Sequence, residues 1–307
     1  MSIWHHKNIG NSIAKEFQKT LNEGNTPLEL KQMTCGDVYF KHEELNPNES
    51  FKDRSLAFQI AYYVQNGHTK FAISSSGNAA RSAAAYCALA HVQLDIFVSP
   101  SIPVYKREKL IHENDSIRIH TSKRAKSDAI KFSRETDAIN LRGSVDEHAI
   151  TGFKTLGYEL AQECPGADAV FICCSSGTST VGLYRGLIEM QKENGGTLPA
   201  IHVVQSTKIH PIAKEFDEDF NKTITHKSQA ISDKVAHRKR EVIDIINNTG
   251  GSGWVVSDRE VELAKEELNS VGVTVEGFNA YVSYAGIKRA HKNGYMYSKP
   301  ICILSGI

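Results

Sequence analysis

From Val38 onward, short β-branched or aromatic runs alternate with longer stretches of helical periodicity. The runs at Val38–Lys41, Phe71–Ser74, Leu94–Val98, Ile117–His120, Ala169–Cys173, Ile201–Gln205 and Ile301–Leu304 are mostly continuously apolar. That pattern predicts parallel strands covered on both faces. Between them the spacing predicts helices over Lys52–Gln65, Ala79–Ala90, Gly152–Glu163, Val181–Lys192 and Asp258–Ser270, the last capped by Ser257 or Asp258. Strands linked by crossover helices make an α/β fold. The polar stretch Asp217–Lys234 follows neither period and predicts an irregular surface excursion.

Composition narrows the function. A chain of 307 residues suits two domains or one large α/β unit. With 36 basic and 35 acidic side chains the formal charge is +1, which offers no field for gripping nucleic acid or an anionic membrane. A small-molecule partner fits better. Met1-Ser2-Ile3-Trp4-His5-His6 lacks the apolar core of a signal peptide, and no apolar run is long enough to span a bilayer, so the expected compartment is the cytoplasm. The six cysteines lack C-x-x-C spacing and read as reduced, mostly buried thiols. Thirteen histidines include no H-E-x-x-H, so no metal is expected. The basic run Lys234–Arg240 lacks interleaved aromatics and reads as solvated surface.

Three clusters carry chemistry. In Asn46-Pro47-Asn48-Glu49-Ser50-Phe51-Lys52-Asp53-Arg54, a loop ends at a helix start with a lysine in the first turn. The positive end of the helix dipole disfavours a cation there and so favours the neutral, nucleophilic amine. Taken alone, Lys52 reads as a solvated helix residue and Ser50 as a cap. Ser74-Ser75-Ser76-Gly77-Asn78 joins a strand to an Ala-rich helix, where N–H groups can bind a carboxylate or phosphate; the plain alternative is a capped turn. Cys173-Cys174-Ser175-Ser176-Gly177-Thr178 repeats that arrangement with more hydroxyls, suiting a phosphate monoester, against the same structural alternative. It matches neither G-x-G-x-x-G nor G-x-x-x-x-G-K-[ST], which argues against dinucleotides and nucleoside triphosphates.

Together these clusters resemble the fold-type II (tryptophan synthase β-like) pyridoxal-phosphate (PLP) enzymes, in content and in order. Thr26-Pro27-Leu28 resembles the family's T-P-L, Ser50–Arg54 its S-F-K-D-R, Ser75–Asn78 its S-S-G-N and Cys174–Thr178 its phosphate loop. Downstream, Gly152-Phe153-Lys154-Thr155 is similar to E-G-x-K-T, Val256-Ser257-Asp258 to a V-S-D helix start, and Leu304-Ser305-Gly306 to the closing L-S-G. The resemblance implies that Lys52 is catalytic and carries PLP as a Schiff base. It also implies that Asn78 contacts the ring hydroxyl, that Cys174, Ser175, Ser176, Gly177 and Thr178 hold the phosphate, and that Ser305 meets the pyridine nitrogen. Ser75, Ser76 and Gly77 would hold the substrate carboxylate, and Lys154 or Arg142 a substrate phosphate.

The fold implied is two open, twisted, mostly parallel sheets flanked by helices, with PLP in the cleft between a smaller and a larger domain. The larger domain would comprise 1–58 and 146–307, the smaller, mobile one 59–145. Homodimers are common in this family. The motifs most resemble threonine synthase, a lyase of threonine biosynthesis converting O-phosphohomoserine and water into threonine and phosphate. Two departures keep other members open. The phosphate loop here ends in Gly-Thr, as in cysteine synthases and dehydratases, and Ala149 stands where threonine synthases carry an arginine. A cysteine synthase-like β-replacement, a threonine or serine dehydratase, and an inactive PLP-binding protein are the alternatives.

Overall fold

Each continuous apolar run forms a strand in the computed structural model, which describes residues 2–110, 115–228 and 231–306. The strands are β1 Leu28–Met33, β2 Gly36–Lys41, β3 Lys70–Ser74, β4 Gln93–Val98, β5 Ile117–Thr121, β6 Ile139–Asn140, β7 Ala169–Cys173, β8 Ala200–Ser206, β9 Gly253–Val256 and β10 Pro300–Ile303. The α-helices are α1 Lys7–Gly10, α2 Lys52–Gln65, α3 Asn78–Leu89, α4 Val104–Glu108, α5 Ala125–Thr136, α6 Glu147–Glu163, α7 Thr178–Asn194, α8 Lys239–Thr249, α9 Asp258–Ser270 and α10 Val282–Lys292. Among the described residues, no helix is long and apolar enough to cross a membrane.

The chain forms two compact units, Met1–Asn25 with Asn46–Thr155, and Thr26–Leu45 with Leu156–Ile307. The sequence reading has its boundaries at 58/59 and 145/146. Packing groups 46–58 with 59–145 because the loop before α2 is tied to α3: the Glu49 carboxylate accepts from Arg81, and Lys109 lies 3.5 Å from the same oxygen.

The first unit holds a four-stranded parallel sheet in the order β5-β4-β3-β6. Ala72 and Phe97 of this sheet bury against Ala129 of α5. The second unit holds a six-stranded sheet in the order β1-β2-β10-β7-β8-β9, parallel except for the β1/β2 hairpin. Every residue of β7 and β8 is buried, as their apolar continuity requires. A core including Phe40, Phe171, Val204, Trp254 and Tyr284 fills this unit.

The pattern overlooks β1, whose Leu-Glu-Leu-Lys-Gln-Met alternates and lies half exposed at the sheet edge. It also overlooks the short β6 and β9, and helices including α5, α8 and α10. Helix α6 starts at Glu147 rather than Gly152, because the Asp146 carboxylate accepts the His148 N–H at 2.8 Å and opens the first turn earlier. Helix α7 starts at Thr178 rather than Val181, which brings the last residue of the hydroxyl-rich loop into its first turn. Five of the six cysteines are buried and Cys35 is partly exposed, and none of them is in a disulfide.

Candidate active site

Lys52 is the first residue of α2, and Phe51 caps the helix without a side-chain hydrogen bond. The loop before it is fixed from below. Ser50 is fully buried and its Oγ accepts the Lys52 N–H at 3.3 Å. Asp53, also fully buried, accepts the backbone N–H of Asn48 at 2.7 Å and its side-chain amide at 2.9 Å. Burial pushes the Asp53 carboxyl up, while hydrogen bonds from Asn48 and the nearby Arg81 charge oppose the shift. Asp53 thus holds Asn48 within the lysine loop and Glu49 ties that loop to α3, roles that sequence reasoning missed. The signal was an acidic residue directly after the lysine at a helix start.

Helix α6 closes on the same turn. A Cβ at Gly152 would lie 2.1 Å from the Arg54 carbonyl oxygen and 2.8 Å from the Ser55 Cα, so only glycine permits this approach. Arg54, fully buried, donates through Nη1 to the Thr155 hydroxyl at 3.0 Å, and that hydroxyl donates to the Gly152 carbonyl at 2.7 Å. The Lys52 Nζ lies 4.8 Å from the Phe51 ring centroid and 5.3 Å from that of Phe153. Lys154 stands on α6 between these two packing residues and is half-buried.

At the carboxyl end of β3, Ser75, Ser76, Gly77 and Asn78 form the turn into α3, with the Gly77 N–H donating to the Ser75 Oγ at 3.3 Å. Gly77 has open space where a Cβ would stand. The first N–H groups of a helix lack intrahelical acceptors and favour an anion. The structure therefore brings the Lys52 loop and the serine loop together through Glu49–Arg81.

In the second unit, the turn from β7 to α7 carries Cys174–Thr178. Gly177 is left-handed at φ +95°, and a Cβ there would meet Val242 at 2.7 Å. The Ser176 and Thr178 hydroxyls are 3.0 Å apart at the start of α7. Two neighbours have other tasks as well. The Cys174 N–H donates to Val204 at 3.0 Å and its carbonyl accepts from Gln205 at 3.1 Å, extending the sheet. The Ser175 Oγ accepts backbone N–H groups of Ser232 (3.1 Å) and Asp233 (3.2 Å), which leaves its own hydrogen for an anion. Ser305 follows β10 and is buried.

The polar segment 217–234, of which 229 and 230 lie outside the described residues, is irregular as expected, and several of its side chains are pinned. Asp217 accepts from Arg289 and from the Val255 N–H, Thr223 meets Thr207 at 2.9 Å, and His226 meets Ser206 at 2.8 Å. Past it, Arg238 of the basic run packs against the Cys174–Thr178 turn. The Arg238 N–H donates to the Ser176 carbonyl at 3.3 Å, and its Cβ lies 3.2 Å from where a Gly177 side chain would begin. A hydroxyl-lined helix start with no side chain at Gly177 is a donor set that fits a phosphate monoester.

Comparison with known proteins agrees with this chemistry. A threonine synthase of Bacillus sp. (strain ULM1) is 27% identical over 202 residues, 64% of this chain and 57% of that enzyme, so the chain spans less than two thirds of its length. A threonine synthase of Methanosarcina acetivorans is 25% identical over 94% of this chain and 75% of its own. The processed form of threonine deaminase isoform 2 from Solanum lycopersicum superposes with a TM-score of 0.77 at 14% identity, covering 99% of this chain and 89% of that one, a likeness of fold. The profile of the family described as pyridoxal-phosphate dependent enzyme matches residues 19–306, and the chain belongs to that family, whose cofactor is PLP.

Proposed function

We propose that this chain catalyses PLP-dependent elimination and replacement on an amino acid, and that the reaction is that of threonine synthase, O-phosphohomoserine and water giving threonine and phosphate. The observation that carries the reading is Lys52 at the first turn of α2, its loop tied through Glu49–Arg81 to the helix that starts from Ser75–Asn78. Relatives named threonine synthase that align with 94% of the chain support the choice of substrate.

PLP, when bound, supplies an electron sink for carbanion character at the substrate. Ser176, Gly177 and Thr178, with the Ser175 hydroxyl and the Cys174 turn, would hold its phosphate, Asn78 its ring hydroxyl and Ser305 its pyridine nitrogen. A neutral hydroxyl at that nitrogen leaves it unprotonated, which suits elimination at the β and γ carbons. Ser75, Ser76 and Gly77 hold the substrate carboxylate at the positive end of α3. Lys52 moves protons between Cα and Cβ while phosphate leaves Cγ and water adds at Cβ. Lys154 or Arg142 would bind the leaving phosphate. The Gly-Thr ending of the phosphate loop favours the second reading, β-replacement or dehydration.

The test is product analysis of PLP-loaded protein given O-phosphohomoserine, with Lys52→Ala as control. Lysine-dependent release of phosphate together with threonine is the expected result. Acetate released from O-acetylserine, or ammonia and a keto acid from threonine, in its place would move the assignment to the second reading.

A further inference from the structure

We propose that Phe153 is a positioning residue for the Lys52 amine, its ring and that of Phe51 forming a two-faced aromatic holder for Nζ. The inference rests on reading Lys52 as the cofactor lysine. Within Gly152-Phe153-Lys154-Thr155, the sequence drew attention to Lys154, yet the neighbouring side chains are the ones committed to the lysine turn. Gly152 lets the α6 backbone touch Arg54 and Ser55, and Thr155 fixes the Arg54 guanidinium at 3.0 Å. Between these two fixed points Phe153 is held with only 1% of its surface exposed.

Its ring meets that of Phe51 edge-on, with centroids 5.2 Å apart and planes at 65°. The Nζ of Lys52 lies within 6 Å of both centroids, at 4.8 Å and 5.3 Å. At such distances the negative face of each ring attracts an ammonium. A lysine side chain is otherwise free to sample many rotamers, and two flanking rings restrict where its amine can wait. The start of α2 disfavours the cation that the rings favour. The two effects are of similar size, so the rings offset the helix start and keep the amine beside it.

The test is acetic anhydride labelling of the full-length, cofactor-free protein, with Lys52 modification measured by peptide mass spectrometry relative to the exposed Lys7. Phe153→Leu keeps an apolar side chain and removes the ring face. It should raise the relative Lys52 rate by about two- to fivefold, the Boltzmann factor of one cation–π contact. Phe51→Leu removes the other face, should act in the same direction, and serves if Phe153→Leu does not fold. Phe71→Leu, a buried core change in the same unit with no ring over Lys52, should leave the ratio unchanged. A ratio unaltered in both holder variants, or raised equally by Phe71→Leu, overturns the inference. Loaded with PLP, Phe153→Leu should also show weaker circular dichroism in the cofactor's absorption band. The labelling result does not depend on cofactor capture. Borohydride fixation of PLP on wild-type Lys52 decides that separate question, and its absence would sink the reading of the lysine while leaving the labelling result to stand or fall alone.

Discussion

Gly152 leaves no room for a side chain, and that constraint transmits to the lysine. Adding one methyl group forces α6 away from the Arg54 carbonyl, where the contact would be 2.1 Å with backbone on both sides. Gly152→Ala should therefore cost about 1–3 kcal/mol of stability, read as a lowered urea midpoint, and should weaken PLP retention along with it. Lys52→Ala should leave the fold intact and abolish borohydride-fixed cofactor; covalent labelling that persists would show that another lysine holds it. The Lys52 motif itself was legible because a lysine at a helix start is unusual. The roles of Gly152 and Phe153 were not, since a glycine in a helical pattern and an aromatic beside it look the same whether they pack against core or against a catalytic turn.

Elements follow their local signals where one face decides them. Helix α9 begins at Ser257 in a capping box, with Ser257 accepting the Glu260 N–H and Glu260 accepting the Ser257 N–H. Ser257→Ala should cost about 1 kcal/mol in chemical denaturation. Strand β8 carries a polar residue that the apolar pattern hides. His202 is fully buried, and its Nδ1 accepts from the Ser252 N–H and the Trp254 indole, so its proton lies on Nε2, facing the Tyr297 hydroxyl at 2.6 Å. Burial holds its pKa down to about 3 from 6.5. Below pH 6.5 the unfolded chain gains a proton that the folded one refuses. This contribution is thus complete above 6.5 and falls away as the pH drops towards 3. Between pH 7 and pH 5 the loss should be about 2 kcal/mol, and His202→Gln should flatten that slope in urea titrations even as it lowers stability at pH 7.

At the scale of the whole molecule, segments far apart in sequence build each unit. Thr26–Leu45 joins Leu156–Ile307, and Lys41 of β2 is the buried link. Its Nζ, fully buried, meets Glu159 at 2.9 Å, Glu163 at 2.7 Å and the Thr26 carbonyl at 2.7 Å. Lys41→Met leaves buried Glu159 without that cation and should destabilise by about 3–5 kcal/mol in calorimetry or denaturant unfolding. Substituting Glu159 by Gln in the same chain should recover part of the loss. The near-zero formal charge is also a whole-molecule property, and it predicts weak, salt-insensitive retention on heparin despite the local basic run.

The sequence by itself determined the α/β class, the positions of the buried strands, the start of α2 at Lys52 and the three loops that carry hydroxyls and N–H groups. Each of these is written in short-range periodicity or in adjacent residues. Tertiary structure alone decided that α6 begins early, that Gly152 and Phe153 pack on the lysine turn, that Glu49 ties it to α3, and that Ser232, Asp233 and Arg238 brace the Cys174–Thr178 turn. The same holds for the pinning of Asp217, Thr223 and His226, whose hydrogen bonds run to Ser206, Thr207, Val255 and Arg289. A contact between residues tens of positions apart leaves no period in the chain, because which partner a polar or small residue finds depends on how the elements pack, not on its neighbours in sequence.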